Sequence, residues 1–94
     1  MLFSVRLISR QPPEMSTEAW QQIVAEQYRA VKQLYDSGKI KAIYREVGVG
    51  VLAIFDVNDA REMDQIIAGL PMFRFFAETS VHALWDMAPT LASA

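Results

Sequence analysis

The chain has 94 residues, a length that suits a single domain. Its nine Lys and Arg are scattered among eleven Asp and Glu, for a net charge of −2, so no concentrated basic face for nucleic acid is expected. There is no Cys and only one His, His82, which excludes disulfides and thiolate metal sites and argues against a His-based metal centre. No apolar run reaches the ~20 residues that span a bilayer. We therefore expect a cytoplasmic protein that works without metal or cofactor and does not enter a membrane.

The apolar content indicates self-association. Hydrophobic residues make up 52% of the chain, slightly above the roughly 45–50% of ordinary soluble domains. A domain of this size buries only about 60–65% of its unfolded surface within itself. Some apolar surface should therefore be buried between copies of the chain, and we expect a homo-oligomer.

The first strand and the first helix have clear sequence signals. Residues 2–9 alternate as a half-buried strand does, with Phe3, Val5 and Leu7 on one face and Ser4, Arg6 and Ile8 on the other. Pro12 and Pro13 prevent any regular element from continuing. Residues 17–36 carry apolar side chains at helical spacing, with Ser16 or Thr17 as N-cap and Gly38 as the terminating residue.

The second half of the chain predicts a hairpin, a helix and a last strand. Residues 40–47 and 51–57 are strand-like and flank a turn at residues 48–50 that contains two glycines. The second helix begins at Asn58 or Asp59, where Asp59 and Glu62 have capping-box spacing, and Gly69-Leu70-Pro71 ends it. Residues 79–85 predict the fourth strand, and residues 88–94 a loose tail.

This β-α-β-β-α-β order predicts a ferredoxin-like α+β fold. With right-handed crossovers it gives a four-stranded antiparallel sheet that has both helices on one face. We expect one domain over residues 1–87 followed by the tail. The face without helices needs cover, and a second copy of the chain is the simplest source.

Several segments resemble one family, the muconolactone delta-isomerases. They are Met1-Leu2-Phe3 at the start, Tyr44-Arg45 in the second strand and Leu70-Pro71-Met72-Phe73 after the second helix; the family pattern is Met-Leu-Phe, Trp-Arg and Leu-Pro-Leu-Phe. The resemblance covers roughly residues 1–85. It implies a dimeric α+β barrel that can assemble into a decamer. It also implies a cofactor-free proton shift in a small carboxylated, unsaturated lactone during aromatic-compound catabolism.

Two positions depart from the family pattern. Ser4 occupies the place of a usual His in the first strand, and Gln27 that of a usual Glu in the first helix, with Glu26 beside it. Neither Ser nor Gln is an ordinary general base at neutral pH. We therefore assign proton transfer to Glu26, with Gln27 as its catalytic neighbour.

The substrate-binding residues are predicted on the first and second strands, together with Gln27 of the first helix. Arg6 and Arg45 would hold the carboxylate, because a guanidinium can bind it bidentately. Ser4, Tyr44 and Gln27 would donate hydrogen bonds to the lactone oxygen. We expect Arg6, Arg45 and Gln27 to converge on one cavity between the first helix and the sheet.

Structural roles compete with each of these assignments. Gln27 can be a core amide, Glu26 a solvated flank, and Arg6 part of a salt bridge. At the level of the whole chain, the two departures favour a non-catalytic small-molecule-binding or assembly protein on the same fold. Another cofactor-free barrel enzyme, of cyclase or monooxygenase type, is a further alternative.

Overall fold

A computed structural model describes all residues, 1–94. Its elements are β1 (Leu2–Ser9), α1 (Thr17–Asp36), β2 (Ile40–Glu46), β3 (Gly50–Asp56), α2 (Ala60–Ala68), a 3-10 turn (Phe73–Phe75), β4 (Phe76–Leu84) and α3 (Ala88–Ala92). All pairings in the sheet are antiparallel, and the strand order is β2-β3-β1-β4. The predicted ferredoxin-like fold is confirmed.

The helix boundaries follow from local hydrogen bonds that the sequence encodes. Ser16 caps α1, because its side chain accepts a hydrogen bond from the Ala19 backbone N–H. Gly38 follows α1 in a left-handed conformation, with φ of 84°, which glycine adopts without strain. Asp59 caps α2 by accepting from the Glu62 N–H at 2.8 Å. The predicted bounds of α1 are therefore confirmed.

The core lies between the helices and one face of the sheet. Its buried side chains come from β1, β2, β3, the residue after β3 and α2, with Val31 and Leu34 of α1 packed against them: Phe3, Val5, Ile40, Ala53, Phe55, Val57, Met63 and Ile67. We call this side of the sheet the cavity face. Because strand side chains alternate, the intervening residues form a second, helix-free outer face.

The glycine at the start of β3 brings β1 and β3 close together. A side chain at position 50 would collide with the Leu7 backbone oxygen, because a Cβ there would come closer to it than real Cβ contacts do. Only glycine therefore permits this approach without a backbone shift.

The C-terminal part of the chain differs from its prediction in two ways. The fourth strand begins at Phe76 rather than at residue 79, because Phe76 pairs with Ser9 beyond an irregularity between Ile8 and Ser9. Residues 88–92 form a short helix, α3, whose side chains are exposed. None of the helices combines the length and apolar character needed to cross a bilayer.

Candidate functional site

An apolar cavity of about 270 Å³ lies between α1 and the cavity face. Of its 17 lining residues 14 are hydrophobic, and the polar ones are Ser9, Gln27 and Arg45. A mostly apolar space with a few converging polar groups is the usual form of a small-molecule site. Its volume lies just below the ~300 Å³ at which drug-sized pockets begin, so it suits a small ligand.

The Gln27 side chain is held in one orientation inside this cavity. It is only 7% exposed, and its Oε1 accepts a hydrogen bond of 3.0 Å from the Met72 backbone N–H. Because an N–H can only donate, the amide oxygen must face Met72 and the amide nitrogen must point away. That nitrogen makes no hydrogen bond within the protein, and it is not sealed from the cavity space. Gln27 therefore offers a donor to a ligand.

Arg45 provides the cationic group of the cavity. It lies on β2 opposite Val51 of β3, which in turn pairs with Leu7 of β1, so all three share the cavity face. Its side chain lines the cavity yet remains exposed, and no carboxylate lies within ion-pair distance of it. An exposed, unpaired guanidinium at a cavity mouth can bind an anionic ligand group.

Ser9 lines the same cavity and was not among the predicted site residues. It lies just after the irregularity in the β1–β4 pairing, at the end of β1. The alternation of β1 places Ser9 on the side of Val5 and Leu7, so strand parity is the signal that could have identified it.

Ser4, Arg6 and Tyr44 lie outside the cavity. Ser4 and Arg6 belong to the outer face, where Ser4 pairs with His82, and Tyr44 on β2 lies on that face with 63% of its surface exposed. The predicted convergence of Arg6 with Arg45 and Gln27 is therefore wrong for the protomer. The physical reason is the two-residue period of β1, which directs Arg6 away from the layer that contains Gln27.

Arg6 is instead part of an ion pair on the outer face. Its Nε and a terminal nitrogen donate to the two carboxylate oxygens of Glu46 at 2.6 and 3.0 Å. The hydrogen bond to Glu46 and its negative charge raise the pKa of the Arg6 guanidinium above its ordinary value. Arg6 is therefore part of a salt bridge, as its alternative, structural interpretation predicts.

Glu26 is not placed to act on a ligand in the cavity of its own protomer. It is exposed and absent from the cavity lining, whereas Gln27 and Tyr28 are part of it. At about 100° per residue, Glu26 and Tyr28 point to opposite sides of Gln27, and the cavity extends toward Tyr28. Glu26 therefore lies outside this cavity, and its proton-transfer role stays a prediction.

No group of three or more His, Cys, Asp or Glu side chains is arranged to hold a metal ion. The cavity lining contains Arg45 as its charged residue, and neither a carboxylate nor an imidazole. Its chemical capacity is thus to bind an anion at the mouth and to donate a hydrogen bond from within.

Fold and cavity together define the class: a ferredoxin-like α+β protein with an apolar cavity between its first helix and the sheet. The family model for muconolactone delta-isomerase matches residues 1–87. Muconolactone Delta-isomerase 1 of Acinetobacter lwoffii is 37% identical over 76 residues, covering 80% of this chain and 79% of the relative. The muconolactone Delta-isomerase of Cupriavidus pinatubonensis is 33% identical over 76 residues, covering 80% and 83%. The chain belongs to the muconolactone delta-isomerase family, as its resemblance predicts.

Solved structures confirm the fold. A crystal structure of muconolactone isomerase superposes with a TM-score of 0.84 at 23% identity, covering 92% of this chain and 90% of that one. A 5-chloro-2-hydroxyhydroquinone dehydrochlorinase from Burkholderia phenoliruptrix, in complex with 2,5-dihydroxybenzoquinone, gives a TM-score of 0.73 at 20% identity, covering 96% and 98%.

Proposed function

We propose that this protein is a cofactor-free isomerase that shifts a proton within a small, carboxylated, unsaturated lactone in aromatic-compound catabolism. Its family membership supports the reaction class. The observation that carries the site is the Gln27 amide, whose orientation the Met72 N–H fixes inside an apolar cavity that opens at Arg45.

The proposed binding roles follow from the position of each polar group. Arg45 at the mouth binds the ligand carboxylate, since its guanidinium has no protein partner. Gln27, deeper in the cavity, donates its free N–H to the lactone carbonyl oxygen. Removal of a ring proton places negative charge on that oxygen, and an oriented donor in an apolar space stabilises such charge effectively.

The ring proton must pass to a base and a proton must return to another ring carbon. The lining has no carboxylate or imidazole, so we assign this transfer to solvent, or to a group outside the lining, that reaches the ligand at the open mouth. Glu26 is exposed and does not line the cavity. We therefore expect Glu26→Gln to retain most of the exchange activity. Loss of activity in Glu26→Gln would return Glu26 to the mechanism as a base that acts on a neighbouring copy's ligand.

The test is hydrogen–deuterium exchange into muconolactone in deuterated water, followed by NMR. The wild-type protein should exchange the ring proton and form the isomer without added metal. Arg45→Gln should lower the rate at subsaturating substrate by at least tenfold, and Arg29→Gln, on the exposed flank of α1, should not. Absence of exchange above the spontaneous rate in the wild type would refute the proposed reaction.

The proposal includes a homo-oligomer, a dimer at least, formed through the outer face. This face carries Leu2, Ile8, Leu52, Ile54 and Leu84 without any covering element. It also carries charges of both signs, Arg6 with Glu46 and Glu78, so that a second copy can present complementary charges. A cytoplasmic location is part of the same proposal.

Light scattering tests the oligomer directly. The wild type should have at least twice the 10.6 kDa mass of one chain. Leu52→Lys, at the centre of the outer face, should shift it toward the single-chain mass. Leu91→Lys, on the exposed helix α3, is the matched control and should leave the mass unchanged. A wild type that is monomeric at micromolar concentration would contradict the interface.

A further inference from the structure

The cavity has two unlike ends. At the mouth lie Ser9 and Arg45, both exposed. At the other end the walls are Leu34 of α1 with Ile40 and Phe55, and the last two are each only 3% exposed. The charged end is therefore open to water, and the apolar end is closed.

The register of the sheet measures the distance between these ends. Arg45 pairs with Val51, and Ile40 pairs with Phe55, so the two levels are four residues apart along β3. At about 3.3 Å per residue this separation is about 13 Å. A carboxymethyl-substituted five-membered lactone is roughly six bonds long, or about 7 Å at ordinary bond lengths.

Gln27 divides this length. It lies midway along the part of α1 that lines the cavity, seven residues after Trp20 and seven before Leu34. A carboxylate bound at Arg45 and a carbonyl bound at Gln27 would together use the outer part of the cavity. The space from Gln27 to Ile40 and Phe55 would remain, and its walls are apolar except for the hydroxyl-bearing side chain of Tyr28, which is exposed.

We infer that the substrate is a carboxylated lactone that carries an apolar alkyl substituent on the ring, directed away from the carboxylate arm into the closed end of the cavity. This inference rests on the proposed function for the ring and its carboxylate. The substituent is inferred from the closed end, where Leu34, Ile40 and Phe55 have no hydrogen-bonding side-chain group and so favour an alkyl group over a polar one. An unsubstituted lactone leaves that end without contacts.

The experiment measures binding of saturated lactones, which cannot isomerise, to the full chain by isothermal titration calorimetry. The probes are the carboxymethyl lactone and its methyl, ethyl and propyl homologues, substituted on the ring carbon next to the carbonyl. Affinity should rise about fourfold for each added carbon that reaches the closed end. Equal or weaker binding of the homologues would overturn the inference.

Two variants locate the substituent. Leu34→Phe should fill the closed end and abolish the preference for longer homologues, with binding of the unsubstituted lactone retained. Leu34→Ala should move the optimum to a longer substituent, and it keeps the test decisive if the larger side chain prevents folding. Ile66→Phe, on α2 and outside the cavity, is the control and should keep the wild-type preference. An unchanged preference in both Leu34 variants would refute this placement.

The exchange assay separates this inference from the proposed function. Exchange with the unsubstituted lactone, without any affinity gain from substituents, would support the proposed isomerase reaction and refute the inferred alkyl-substituted substrate. An affinity gain from the alkyl substituents, with no exchange on any unsaturated lactone, would support the inferred ligand and refute the proposed isomerase reaction.

Discussion

The two faces of the sheet are built from the same strands, but the arginine on one face is ion-paired and the arginine on the other is not. On the outer face, Arg6 is matched by Glu46 through two hydrogen bonds, at 2.6 and 3.0 Å. On the cavity face, Arg45 has no carboxylate within ion-pair distance and lies at the mouth of an apolar space. An arginine that is paired with a carboxylate of the protein contributes little or modestly to stability. An unpaired arginine beside a cavity is available to bind an anionic ligand.

The largest expected difference between the faces is in stability. Ile40→Ala removes a side chain that is 3% exposed on the cavity side and should lower the free energy of unfolding by about 2–5 kcal/mol. Ile54→Ala, on the half-buried outer face, should cost about 1 kcal/mol in the protomer. Urea denaturation at several protein concentrations measures both. An Ile54→Ala loss that depends on concentration would assign its burial to the subunit interface, and equal losses at high dilution would contradict the two-face description.

The Gln27 amide gives the next largest effect. Gln27→Leu leaves the buried Met72 N–H without an acceptor, which should cost about 1–3 kcal/mol of stability. Gln33→Leu, on an exposed position of the same helix, should change stability little. The same denaturation curves test both variants. Equal stability of the two proteins would mean that the Met72 N–H finds another acceptor.

A comparison of the arginines addresses ligand binding. Arg45→Gln should weaken binding of the saturated carboxymethyl lactone by at least tenfold, because charge-assisted hydrogen bonds to the carboxylate are lost. Arg6→Gln should leave the dissociation constant within about twofold, since Arg6 points from the other face. Calorimetric titration gives both constants. A larger loss of affinity in Arg6→Gln than in Arg45→Gln would mean that Arg6 binds the ligand and that the ligand lies on the outer face.

The smallest expected effect is the acid dependence of the helix layer. The hydrogen bond from the Asn58 N–H, assisted by Lys39, holds the pKa of Glu62 below its ordinary value. Because the folded-state pKa is depressed, this contribution to stability is present above the ordinary glutamate pKa and is lost as pH falls through the folded-state value. Glu62→Gln should therefore have a slightly lower melting temperature than wild type at pH 7, and the difference should vanish in acid.

Thermal melts between pH 3 and 7 check this expectation. Glu26→Gln is the control, because the Glu26 carboxylate is exposed and makes no ion pair or hydrogen bond in the protein. A Glu62→Gln difference that persists unchanged to pH 3 would show that the charge of Glu62 contributes nothing.

The local elements were predictable because their signals are local. Ser16 as cap, Gly38 as terminator and the apolar stripe between them define α1 within a continuous stretch of chain. The start of β4 was misplaced because it depends on a partner more than sixty residues away: Phe76 joins the strand by pairing with Ser9. The aromatic run before residue 79 carries no period that reveals this pairing.

The candidate site was predictable only in part, for a related reason. Gln27 and Arg45, two of the predicted site residues, line the cavity, and each is a polar residue at an otherwise apolar position of its element. Ser4, Arg6 and Tyr44 satisfy the same local description, and the chain alone does not state which face of each strand the helices cover. Arg6 was placed in the cavity although its own alternation set it opposite Phe3 and Val5.

By itself the sequence determined the order of the four strands and the first two helices, the alternation of the strands, the ends of α1 and the family, because each depends on residue types at fixed short spacing. Tertiary structure alone decided that Gln27 accepts from the Met72 N–H, that Arg45 remains unpaired, that Arg6 meets Glu46, and that the cavity closes at Ile40 and Phe55. These are contacts between side chains or backbone groups of different elements. They form only when the packing of α1 on the sheet and the register of the strands fix the distances between residues remote in sequence.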